Sequence, residues 1–135
     1  MRIHDAVEWI QIAEQDIYAA KILAEQVRRP NEIICYLCAQ SVEKHLKGFL
    51  AYHEIIPKKT HNLVEILEVC KEIDGCFNDI KLDCSRINKF ATDVRYPHRF
   101  EVNDTDASYC IKAVEKIMAF PPIKRLIDEV QKISS

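Results

Sequence analysis

The 135-residue chain sets 19 Lys and Arg against 21 Asp and Glu, a net charge of −2, and is 48% hydrophobic and 30% charged. That balance excludes a global basic field drawing the chain to nucleic acid, so any anion binding must come from a local patch. Two glycines are too few for the many turns of a β-rich fold, and no run of about 18 apolar residues offers a transmembrane helix.

Residues 1–20 carry Asp5, Glu8, Glu14 and Asp16, which argues against an ordinary signal peptide and for a cytoplasmic chain with reduced thiols. A first helix is predicted from about Asp5, its cap, to Arg28, with Val7, Ile10, Ala13, Ile17, Ala20, Ala24 and Val27 at helical spacing. Pro30 ends it and suits the first turn of a second helix running to about His53, whose stripe includes Ile34, Leu37, Cys38, Val42, Leu46, Phe49 and Leu50. After the connector "EIIPKK", Thr60 is the expected cap of a third helix that stops before Gly75. A fourth carries Phe77, Ile80, Cys84, Ile87, Ala91 and Val94 and ends at "RYP". Asn103 or Asp104 opens a fifth, and after "FPP" a last short helix holds Ile123, Leu126, Ile127 and Val130. Short connections between long amphipathic segments give an all-α, up-and-down bundle: four long core helices plus shorter ones, in a single domain over residues 1–135.

Four stretches carry polar chemistry. In "CYLC", Cys35 and Cys38 have a metal-pair spacing, but both fall on an apolar helical stripe with no second pair, so they read as core thiols; no metal and no cofactor are expected. In "AQSVEKHLKG", Gln40, Lys44 and Lys47 share one helical face, and Glu43 can pair with Lys47 at i+4. In "KKTHNL", Lys58 and Lys59 precede a helix start whose free amides near His61 attract anions. In "DVRYPHRFE", Arg95 can hold a phosphate with two hydrogen bonds and Tyr96 offers a face for a base. Each also has a plain reading: a solvated helix face, local helix-start hydrogen bonds, a structural salt bridge.

These segments together resemble the HEPN family (higher eukaryotes and prokaryotes nucleotide-binding). The resemblance rests on "AEQDIYAAKIL", on "CYLCAQSVEKHLKGFLAYHEIIPKKTHNLVEIL", and on "RYP" before the penultimate long helix, and covers roughly residues 5–130. It implies a helical bundle that usually forms homodimers, and the "RYP" form resembles the branch often paired with a small nucleotidyltransferase in toxin–antitoxin-like modules. Better-known relatives are metal-independent ribonucleases with a histidine four to six residues after an arginine. Here His98 follows Arg95 after only two residues, with Pro97 between, so the nuclease motif is not matched.

The expected function is therefore a nucleotide- or RNA-phosphate-binding partner of a nucleotidyltransferase. Arg95, Lys44 and Lys47 would hold phosphate, Tyr96 would stack or accept a modification, and His61 would donate a hydrogen bond. The alternatives are a divergent ribonuclease using Arg95 and His98, and a purely structural dimeric interaction module.

Overall fold

The computed structural model describes residues 2–91 and 101–134, and among them every regular element is helical. The chain forms α1 (Ile3–Ala24), α2 (Asn31–Tyr52), α3 (Leu63–Ile73), a 3-10 turn (Gly75–Ile80), α4 (Lys81–Ile87), a second 3-10 turn (Asn88–Phe90), α5 (Asp104–Ala119) and α6 (Pro121–Ser134). This is the predicted all-α bundle.

Helix α2 is the central element, with 14 of its 22 residues buried. It forms a long hairpin with α1 and also touches α3, α5 and α6. The hairpin packs closely because of Gly48. A Cβ added there would sit 2.9 Å from Ile10 Cδ1 and 3.3 Å from Trp9 Cβ, and Ile10 is itself fully buried, so its terminal methyl would have to shift within a packed core. At the α2 C-terminus, Phe49 meets Phe77 at 4.6 Å, and Phe77 meets Phe120 edge-on at 5.1 Å. These rings join α2, the first 3-10 turn and the end of α5.

Helix α2 ends in a Schellman motif. Ile55 N–H donates to Leu50 O and Glu54 N–H to Ala51 O, which puts Glu54 at φ 64°, a position glycine usually fills. At the start of α5, Asn103 makes a capping box with Asp106. The buried Asp83 carboxylate of α4 accepts from Tyr109 Oη–H at 3.0 Å and pairs with Lys116 Nζ at 2.9 Å, fastening α4 to α5. Cys35 and Cys38 are fully buried, as the stripe predicts.

Three sequence expectations need correction. Asp5 does not cap the first helix. That helix begins at Ile3, places Asp5 in its first turn, and is held by Arg2 N–H donating to Tyr52 O. The cap of α3 is Asn62, not Thr60: the Asn62 side chain accepts from the amides of Val64 and Glu65, while Thr60 Oγ1 accepts from Asn62 N–H. The fourth helix is short and flanked by 3-10 turns. Asp74 caps the first turn through Cys76 N–H, and Asn88 turns its side chain to α3.

Candidate functional site

The site begins with a carboxylate in the wrong place. Glu43 continues the buried stripe Ala39–Leu46–Leu50 of α2, and its side chain is only 1% exposed. A buried carboxylate is sustained only by donors, and Glu43 has three. Lys44 Nζ and Lys47 Nζ reach Oε2 at 3.0 and 3.1 Å, and His61 Nδ1 reaches Oε1 at 2.8 Å. Burial raises the Glu43 carboxyl, but the hydrogen bonds from His61, Lys44 and Lys47 outweigh it and hold the group below the usual carboxylate range.

The cluster reaches two further parts of the chain, the segment at Ala91 and α1. Lys44 Nζ also donates to Gln40 Oε1 at 3.1 Å, and Gln40 Nε2 lies 3.5 Å from Ala91 O, just before residues 92–100. Half-buried Asp16 of α1 is raised by burial, against the pull of Lys44. Lys47 Nζ stands 5.7 Å from the ring centroid of Trp9, a cation–π contact.

The sequence-predicted residues thus divide. Lys44, Lys47 and His61 come together, as does the predicted Glu43–Lys47 pair. Arg95, Tyr96 and His98 lie outside the described residues. The expected free amides at the start of α3 are occupied: Leu63 N–H donates to Asn88 Oδ1 at 2.8 Å, and Asn62 takes the next two. Sequence reasoning missed Glu43 as the hub, along with Trp9, Asp16 and Asn88. The signal for Glu43 was present as a lone acid within an apolar stripe.

Electrostatically, the two ammonium groups face two carboxylates, Glu43 and Asp16. The Lys47 side chain is 7% exposed and that of Lys44 17%, whereas that of His61 is 57% exposed. Glu43 fixes the imidazole by accepting from Nδ1–H, which leaves Nε2 as an acceptor in the neutral ring, without a partner among the described residues. The outward chemistry of the cluster is therefore an oriented imidazole edge backed by shielded positive charge. Among the described residues, no three His, Cys, Asp or Glu side chains gather as a metal site, and no helix is long and apolar enough to cross a membrane.

Among the described residues the fold is an all-helical bundle. The HEPN domain model matches residues 6–126, and the chain belongs to the HEPN family. Among solved structures it is similar to ST0689, described as an archaeal HEPN homologue, at 25% identity and a TM-score of 0.69, covering 94% of this chain and 98% of that one. It is also similar in fold to TT1696 from Thermus thermophilus, at 17% identity and a TM-score of 0.76, over 93% and 97% of the two chains. No curated protein matches the chain.

Proposed function

We propose that this HEPN domain protein binds a phosphate-bearing ligand, a nucleotide or RNA, as the partner of a nucleotidyltransferase in a toxin–antitoxin-like module. The observation that carries the reading is the Glu43-centred cluster. It draws Lys44, Lys47 and the exposed His61 together and leads through Gln40 to Ala91, where the chain enters the stretch containing Arg95 and Tyr96. Because Glu43 and Asp16 match both lysines, the phosphate grip falls chiefly to Arg95, with His61 donating or accepting at its free edge.

Arg95→Ala is expected to weaken nucleotide or RNA binding roughly tenfold or more, in line with about 1–3 kcal/mol for a charged hydrogen-bonded contact. Titration calorimetry on wild type and variant measures this. Normal binding together with a much lower melting temperature would make Arg95 a structural residue instead. A bulk-RNA cleavage assay with His98→Ala separates the ribonuclease alternative.

Dimerisation belongs to the same reading. Tyr18 and Ile22, one turn apart on α1, are 68% and 42% exposed, an apolar pair suited to a second copy. Light scattering is expected to give twice the chain mass, and Tyr18→Glu with Ile22→Glu to halve it. A concentration-independent wild-type monomer would refute the dimer. The charge-balanced, largely buried lysines favour a second reading, a purely structural interaction module, in which no nucleotide binds at all.

A further inference from the structure

Trp9 belongs to the Glu43 cluster through Lys47, and it also lines a surface cleft of about 410 Å3 with Arg2, Ala51, Glu54, Ile56 and Pro57. The cleft is an open depression rather than an enclosed pocket. Three features of the cleft stand out. Its Ile56 is 92% exposed, a large apolar side chain left uncovered in the same cleft as the Trp9 indole. The Glu54 side chain has no hydrogen-bond or ion-pair partner among the described residues, whereas the cleft's other acid, Asp5, pairs with Arg2 at 3.3 Å. Glu54 also holds φ 64°, where glycine would avoid a cost of about 1–2 kcal/mol, so the Schellman motif keeps a carboxylate beside the cleft at the expense of stability.

We infer that this cleft is a nucleobase subsite selecting guanine, with Trp9 and Ile56 embracing the ring and Glu54 reading its Watson–Crick edge. The inference rests on the nucleotide-binding reading above and deepens it. An indole and an aliphatic side chain recognise any flat heteroaromatic ring. The carboxylate supplies the choice, because it only accepts hydrogen bonds. Guanine presents two adjacent donors, N1–H and the N2 amino group, to both carboxylate oxygens. Adenine sets a ring acceptor beside its N6 donor and would turn a lone pair toward the carboxylate. The base would lie beside the Glu43 cluster, with Trp9 as the shared wall.

Trp9 is the single tryptophan of the chain, so its emission reports on this cleft and on the adjoining Lys47 contact. The test titrates the full chain with GMP, AMP and inorganic phosphate, following emission and heat in parallel. Excitation is set beyond the nucleotide absorption band. GMP is expected to quench emission saturably and AMP to need roughly tenfold more, the usual reach of one bidentate contact. Inorganic phosphate is expected to leave emission unchanged. Ile56→Asp, a surface change, is expected to weaken GMP roughly tenfold through lost stacking. Glu54→Gln is expected to remove the preference for GMP over AMP. Nucleotide binding seen by heat that leaves Trp9 emission unchanged, or that ignores both substitutions, overturns the guanine subsite and leaves the nucleotide-binding reading standing. Quenching by inorganic phosphate equal to that by GMP overturns it as well. Absence of heat with every nucleotide overturns the nucleotide-binding reading and the subsite together.

Discussion

Glu43→Ala is expected to destabilise the protein by about 3–5 kcal/mol, the usual cost of removing one partner from a buried ion pair. Lys47 carries the penalty, since its side chain is 7% exposed and its ammonium would be left buried without an anion. For a chain of this size the melting temperature should fall by roughly 10–20 °C. Urea unfolding followed by circular dichroism measures the change, with the midpoint dropping and the slope unaltered. A Glu43→Leu, Lys47→Leu double variant should recover much of the loss, because well-packed apolar residues often replace a buried pair at little cost. If Glu43→Ala unfolds within about 1 kcal/mol of wild type, in the range of an exposed ion pair, the cluster does not fasten α2 to the start of α3.

Acidification should expose a second buried group. His45 is fully buried in α2, its Nδ1–H donates to Ser41 O at 2.8 Å, and Nε2 has no partner among the described residues. Burial pushes the imidazole down to about 4, against the opposing effect of the Ser41 carbonyl. The unfolded chain takes up a proton below about pH 6.5, whereas the folded chain resists until about pH 4. Between those values the unfolded state binds more protons, so stability falls with decreasing pH by about 1.4 kcal/mol per unit, or roughly 3 kcal/mol in all. Above about pH 6.5 His45 contributes no slope. His45→Leu should flatten the urea midpoint between pH 6.5 and 5. An unchanged slope in the variant would show that other groups set it. Glu43, whose carboxyl is lowered, acts in a different window: its contribution is present above the ordinary carboxylate value of 4.5 and is lost as pH falls below it.

Local patterns made most of the architecture legible. The α2 and α5 boundaries follow from Pro30 and Asn103, whose effects operate within one turn. Apolar steps of three and four overextend the fourth helix, because they fit an unbroken helix. Spacing cannot show that Asp74 caps a tight turn or that Asn88 serves another element. Thr60 and Asn62 are both good caps, and only geometry decides that the Asn62 oxygen spans two amides. The candidate site was half legible. Helical phase brings Gln40, Lys44 and Lys47 together, but a charged residue is ordinarily turned to solvent. Burying Glu43 requires His61, 18 positions further along, and that is a tertiary fact.

The Asn88 carboxamide acts as a latch between distant parts of the chain. Its oxygen holds the Leu63 amide at 2.8 Å and its NH2 group holds Asn62 Oδ1 at 3.3 Å, while its own backbone lies just upstream of residues 92–100. Breaking that latch would free the Leu63 amide at the start of α3, two positions from His61, while Asn62 still caps Val64 and Glu65. The Leu63 proton is therefore a built-in gauge: its exchange with solvent slows when the latch is shut and quickens when it lifts.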